Sequence, residues 1–197
     1  VTVDIAPGVC IDAAGNNNLV APQFATLYDA TQPSLTITTG VPDPTKVSPF
    51  AVTFTFSESV TGFVSGDVVV TNGSLTNFSG TGAVYTANVT PSSSGVTVTV
   101  AVTSNVASDA ATNGNTAATS LTRFYDGIAP TVAISSTATN PTKTSPIPVT
   151  ITFSEAVTGF TIGDLTVANG TASNFAGAGT TYTCDITPTA DGNVTVD

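Results

Sequence analysis

The chain repeats itself at a spacing of 97 residues: "TFSESVTGFVSGD" (Thr55 to Asp67) returns as "TFSEAVTGFTIGD" (Thr152 to Asp164). The same spacing aligns "DPTKVSPFAVTFTFSE" from Asp43 with "NPTKTSPIPVTITFSE" from Asn140, and "TNGSLTNFSGTGAVYTANVTP" from Thr71 with "ANGTASNFAGAGTTYTCDITP" from Ala168. It also pairs "VCIDAAGNNNLVAPQFATLYD" from Val9 with "VASDAATNGNTAATSLTRFYD" from Val106. A fixed period means equivalent structural units, so whatever one copy folds into, its neighbours fold into as well. The chain then holds the tail of one repeat (1–29), a complete repeat (30–126) and the front of a further one (127–197). It opens on "VTVD" and closes on "VTVD", both inside a strand, and no secretory signal is evident. On that reading it is expected to be a window on a longer periodic polymer.

Inside each copy the hydrophobic period is two. Val52, Phe54 and Phe56 alternate with Thr53 and Thr55; Val96, Val98, Val100 and Val102 alternate with Thr97, Thr99 and Ala101; Tyr182, Cys184 and Ile186 alternate with Thr183 and Asp185. Such alternation gives a sheet with one buried and one solvated face, as antiparallel sheets have. "NG", "SG", "TG" and "DG" pairs punctuate the runs at the spacing of a sandwich. In the complete repeat seven strands are expected: A at Leu35 and Ile37, B near 51–56, C at 67–71, D near 74–78, E near 84–90, F at 96–102 and G at 120–125. Seven short strands per repeat is the immunoglobulin-like count. The predicted fold is therefore all-β, a tandem of immunoglobulin-like antiparallel β-sandwiches.

Charge narrows the function. Charged residues are only 8% of the chain against 41% apolar, and the net charge is −10 with three basic residues, Lys46, Arg123 and Lys143. Nucleic acid needs a basic footprint and is not expected as a partner. No apolar run approaches the length of a membrane span, so no membrane insertion is expected. The absence of His removes the commonest general base and zinc ligand. Cys10 and Cys184 form no metal or redox motif.

The runs "SSTATNPTKTSPIPVTITFSEAVTGF", "GDLTVANGTASNFAGAGTTYTCDITPTADG" and "DAAGN" resemble the bacterial Ig-like repeats of large secreted or surface adhesins. The resemblance covers the whole chain. It implies long tandem arrays, often stiffened by calcium, an extracellular or cell-surface location, and a role as a structural extender or stalk.

Eight of the thirteen acidic residues recur at equivalent repeat positions. If strand A runs down from the linker, the B–C and F–G connections lie at the pole where the linker enters. Glu58 closes strand B there, Asp67 opens strand C, Asp109 lies in the F–G connection and Asp29 in the linker. The same logic places Asp126, Glu155 and Asp164 in the next repeat and Asp12 in the preceding one. Clustered carboxylates repel by about 1–4 kcal/mol per pair at ~4 Å. A hard cation removes that cost, and Ca²⁺ takes oxygen ligands in flexible geometry where Mg²⁺ wants a tight octahedron. Ca²⁺ at the inter-repeat junction is therefore expected, with Asn113 and Asn115 as weaker ligand candidates. The plainer alternative stays open: Glu58 bonding loop backbone, the aspartates making Asx-turns, and "DAAGN" a polar turn.

The partial repeats at the two ends together carry one complete set of strands, so head-to-tail strand complementation between copies is a further expectation. Cys10 and Cys184 then either meet in that composite or remain separate buried thiols. An enzyme is not expected: the acid pairing recurs in every repeat, without Trp or a sugar-stacking platform. The alternative function is a carbohydrate-binding accessory module, for which Phe63 and Phe160 in "TGF" are the aromatic candidates.

Overall fold

A computed structural model describes all residues, Val1–Asp197. Its contacts divide the chain into two compact units, Val1–Gly127 and Ile128–Asp197. The thirteen strands are β1 (Thr2–Val3), β2 (Phe24–Ala25), β3 (Leu35–Thr38), β4 (Phe50–Val60), β5 (Val68–Thr71), β6 (Gly73–Pro91), β7 (Val96–Val102), β8 (Leu121–Tyr125), β9 (Val132–Ser136), β10 (Ile147–Val157), β11 (Val167–Ala168), β12 (Gly170–Pro188) and β13 (Thr195–Val196). Two single-turn 3-10 helices, Ser65–Asp67 and Ile162–Asp164, are the only helical elements. No helix is long and apolar enough to cross a membrane.

In the first unit one antiparallel sheet has the order β3-β4-β6 and a second the order β5-β7-β8. The period-two pattern sets the register. Leu35 faces Phe56, Ile37 faces Phe54, Phe54 faces Tyr85 and Val52 faces Ala87; all of these are buried. The second sheet answers with Val68, Val98, Val100 and Val102, and the two inner faces merge in one core. The intervening threonines take the solvated side, as the alternation requires. The strands expected at 74–78 and 84–90 are one unbroken extended run, β6, that doubles back on itself. Ser79 and Thr86 hydroxyls lie 3.3 Å apart, and Ser92 N–H donates to Asn72 C=O at 2.9 Å. The fold-back depends on Gly80, whose φ is +141° and where a Cβ would collide with the Val84 carbonyl and Tyr85. With β6 read as two arms, the sheets correspond to the A-B-E-D and C-F-G halves of an immunoglobulin-like sandwich.

The second unit repeats the first sheet as β9-β10-β12 and holds β11 against β13. Its core is smaller: Val149, Ile151, Tyr182, Cys184 and Ile186 are buried. Cys184 faces Val149 across β10, as Ala87 faces Val52. Both cysteines are free thiols, Cys10 exposed and Cys184 buried.

Aromatic rings close one end of each sandwich. Phe63 meets Phe54, Phe56, Phe78 and Tyr85 with ring centroids 5.1–5.7 Å apart, each contact edge-on. Phe160 does the same with Phe153, Phe175 and Tyr182 at 5.1–5.6 Å. Edge-to-face geometry suits the ring quadrupoles and adds to the area buried. Phe63 is buried and Phe160 half-buried beneath the loops after β4 and β10, so neither presents an open face to a sugar. Replacing Phe63 by Ala is expected to destabilise the first unit by about 3–5 kcal/mol, read from urea unfolding. A sugar-stacking ring would instead leave stability almost unchanged.

Candidate metal centre

The plugged end of the first unit fixes three chain segments. β4 leaves its pairing with β6 through an irregularity between Thr55 and Val60. Its last residues then turn to the linker: Ser57 N–H donates to Ser34 C=O at 2.9 Å, and Ser34 N–H donates to the Ser57 hydroxyl at 3.0 Å. The connection after β7 is clamped to the end of β4 by reciprocal backbone bonds between Thr61 and Ser108, at 2.8 and 3.0 Å. Within that connection Asn115 is fully buried. Its Oδ1 accepts from Val106 and Ala107 N–H at 2.9 Å, and its Nδ2 donates to Thr103 and Thr116 C=O at 3.0 and 2.8 Å. Every polar valence of the amide is used, as burial demands.

This scaffold brings Asp29, Glu58 and Asp109 together: one carboxylate oxygen of each lies within 4.8 Å of the others. The linker is pinned beside them by Asn113 Nδ2 donating to Asp29 C=O at 3.3 Å and Thr116 N–H donating to Pro33 C=O at 2.9 Å. Asp109 is buried, and both its oxygens accept from Asn113, from N–H and from Nδ2, each at 2.8 Å. The Asn113 side chain, ahead of backbone bonds, holds Asp109 below the usual carboxylate range. Glu58 moves the other way. Burial first, then the charges of Asp109 and Asp29, push its carboxyl above the usual value of 4.5. Three acids thus share a small volume, and one of them, Glu58, resists ionisation through its burial and then the charges of the other two.

Ca²⁺ fits this donor set. Oxygens bound at 2.3–2.6 Å to one Ca²⁺ are separated by at most about 4.6–5.2 Å, which the mutual reach of the three carboxylates satisfies. Each carboxylate oxygen has more than one acceptor site, so the Asn113 bonds leave Asp109 capacity to ligate.

Asp67, expected as a fourth member, stands apart from the group. Its Oδ2 accepts from Val64 N–H at 2.8 Å, and the carboxylate closes the 3-10 turn that leads into β5. Asp164 repeats this, accepting from Thr161 N–H at 2.8 Å and its hydroxyl at 2.9 Å. Both follow the Asx-turn alternative. Asp12 sits in a loop of the same build as Asp109, accepting from Ala14 and Asn16 N–H at 2.8 and 2.9 Å and from Asn16 Nδ2 at 2.9 Å, bonds that lower its pKa. Asp126 closes β8 in the first unit and accepts from the Ser94 hydroxyl at 2.9 Å. Glu155 is half-buried near the end of β10 in the second unit. Asn115, a ligand candidate by sequence, is instead the knot of the loop. Asn18 makes the same four bonds, accepting from Val9 and Cys10 N–H and donating to Ala6 and Leu19 C=O. The recurrence of Asn at both positions is the signal that could have marked it.

A seven-strand antiparallel sandwich in the first unit, whose first sheet the second unit repeats, defines an immunoglobulin-like module. The family of bacterial Ig-like domains matches residues 29–125 and again 126–197, so the chain belongs to that family. Comparison with curated proteins and with solved structures finds no match. Bacterial Ig-like domains are a structural, non-catalytic type, typically carried on extracellular or surface proteins.

The shifted pKa of Glu58 gives a signed expectation. Its proton is held more tightly in the fold, so the repulsive cost appears as pH rises through its titration and vanishes below it. Glu58→Gln is expected to raise the melting temperature of the first unit at pH 7 in EGTA, with the gain fading as pH falls toward 4.5 and absent below it. A thermal scan across pH 3–8 checks this; an equal gain at every pH would mean that Glu58 does not carry that charge repulsion.

Proposed function

We propose that this chain is a segment of an extended stalk in a bacterial surface or extracellular adhesin, with junctions between repeats that bind Ca²⁺. The observation that carries the reading is the meeting of Asp29 in the linker with Glu58 and Asp109 in the sandwich. An ion held by all three ties the incoming segment to the domain that follows it, and converts a flexible joint into a fixed one. Composition supports the same assignment. Thirteen acids face three basic residues, so most carboxylates have no basic side chain to pair with, and a mobile hard cation is the available counter-charge. The two oxygens of Asp109 are pre-set by Asn113 before any ion arrives, which lowers the ordering cost of binding. The partners of such a segment are further copies of its own repeat.

Extracellular Ca²⁺ modules bind at roughly 0.1–1 mM. At about 10 mM Ca²⁺ the first unit is expected to gain about 1.4–2.7 kcal/mol, seen as a rise in melting temperature that EGTA reverses. Glu58→Gln supplies a crossing test: more stable than the parent in EGTA, less stable in Ca²⁺. Slowed hydrogen exchange at the linker amides of Asp29 to Thr31 is expected only with the ion bound. Identical melting curves and exchange rates in Ca²⁺ and EGTA would remove the metal from the proposal.

A further inference from the structure

Within the complete repeat, two strands each leave one edge unpaired, and both edges border the same cleft. β3 ends the sheet β3-β4-β6, and β8 ends the sheet β5-β7-β8. No bridge joins β3 to β8. Between them Leu35, Thr36, Ile37, Leu121, Thr122 and Arg123 line a cavity of about 300 Å³, at the lower end of the range for ligand pockets.

The pleat determines what the β3 edge offers. Ser57 N–H donates to Ser34 C=O, so Ser34, Thr36 and Thr38 direct their main-chain groups at β4. Alternation turns the N–H and C=O of Leu35 and Ile37 the other way, toward the cleft. The side chains of these two residues are buried, only 7% and 8% exposed. Residues that face one another across a ladder share a side of the sheet. A strand laid along this edge therefore puts the residues opposite Leu35 and Ile37 into the cavity, beside Leu121. The residue between them stays in solvent beside Thr36.

The β8 edge, in contrast, is capped toward its C-terminal end. Asp43 Oδ1 accepts from Phe124 N–H at 2.8 Å, Thr45 N–H donates to Phe124 C=O at 2.9 Å, and Arg123 Nη1 donates to Thr122 C=O at 2.7 Å. Arg123 Nε also donates to Val41 C=O at 3.1 Å. The segment 41–45 thus crosses from β3 to β8, where Thr45 bridges Tyr125, and it bars an added strand from continuing. The cleft is blind at that end, and Arg123 stands at the barrier. It is half-buried, and its hydrogen bonds go to main-chain carbonyls and to no carboxylate. In a chain with thirteen acids and three bases, a guanidinium kept clear of the protein's own acids is a socket for an external one.

We infer that this cleft binds the extended C-terminal end of a partner polypeptide, added to the free edge of β3, with the terminal carboxylate on Arg123. The blind end fixes the direction: the chain must stop there, and the cation selects the carboxylate end, so the peptide runs parallel to β3. Two apolar residues, one opposite Leu35 and one opposite Ile37, fill the cavity. In a parallel ladder the residue between them donates its N–H to Leu35 C=O and accepts from Ile37 N–H. Main-chain bonds supply affinity; the alternate apolar positions and the carboxylate supply selectivity. None of these residues belongs to the acidic group of Asp29, Glu58 and Asp109, so the cleft is a binding site separate from the proposed ion site.

The test is selection by the full chain, in EGTA so that the ion site plays no part, from a library of hexapeptides with free C-terminal carboxylates. Fluorescence anisotropy then measures the selected peptides. They are expected to share two apolar residues separated by one variable residue. The same peptides closed as C-terminal amides are expected to bind about ten- to a hundredfold more weakly, the scale of a charged hydrogen bond lost. Arg123→Gln is expected to weaken the free acid by a similar factor and the amide hardly at all. The amide arm probes the same contact on the parent chain, so it stands even if Arg123→Gln disturbs the fold. Methylating the N–H of the variable residue is expected to abolish binding, because that group meets the β3 edge. Failure to select any peptide, selection without the alternation, or equal binding of acid and amide overturns the inference. Dimerisation of the chain that the peptide reverses would make a second copy the occupant, and overturns it as well.

Discussion

The ring of Phe63 is the contact on which the rest of the complete repeat depends. It lies in the loop after β4 and stands edge-on to aromatic residues from β4 and both arms of β6. By filling that end it fixes where β4 stops pairing and how its last residues leave the sheet. Those residues include Glu58. The Thr61–Ser108 clamp then hangs the loop after β7 from the same point, and Asp109 arrives beside Glu58 as a consequence. The hydrophobic plug and the acidic group are thus one arrangement: a dry interior under the loops, and a polar rim whose geometry the interior dictates.

The rim carries an unfavourable term that the fold does not cancel from its own side chains. Asn113 stabilises the charge on Asp109 through two hydrogen bonds, and this holds a negative charge next to Glu58 down to lower pH than an ordinary carboxylate would. Glu58, partly desolvated and facing that charge and Asp29, resists ionisation. An apolar or amide residue in place of Glu58 would remove the conflict at no cost to the core, because Glu58 is only half-buried and outside the apolar cluster. A destabilising group at a joint makes physical sense where an external cation completes the charge balance. The local rule is broken at the place where function is proposed.

Much of the fold could be read in advance because strand alternation and repeat spacing report the same thing independently. Period two placed Leu35, Val52, Phe54, Phe56, Val98, Val100 and Val102 on inner faces, and the structure buries all of them. The site was legible only in part. Asp29, Glu58 and Asp109 come together because strand direction alone decides which loops share a pole. Asp67 shares the expected loop but turns to Val64 N–H, a choice set by the local 3-10 turn, which alternation does not encode. The role of Asn115 was hidden for a different reason. A buried amide that satisfies four backbone groups looks, in sequence, like any other loop asparagine; only its recurrence as Asn18 distinguishes it.

Divergence between the repeats shows which contacts are generic and which are local. Phe56, Phe63, Phe78 and Tyr85 recur as Phe153, Phe160, Phe175 and Tyr182, and the stacked pair Phe78–Tyr85 at 5.7 Å recurs as Phe175–Tyr182 at 5.7 Å. The plug is therefore a property of the repeat. Phe54, in contrast, becomes Ile151, Ala87 becomes Cys184 and Val89 becomes Ile186, all on the β4–β6 inner face or its counterpart. Loss of a ring in the middle of the core is met by added volume further along the facing strand, where Cys184 opposes Val149 and Ile186 opposes Ile147, since a close-packed interior tolerates exchange of shape more readily than loss of volume. Below the plug each repeat is free to redistribute its core. At the plug the rings of Phe56, Phe63, Phe78 and Tyr85 are kept while Phe54 gives way to Ile151, because the kept rings also decide where the acids stand.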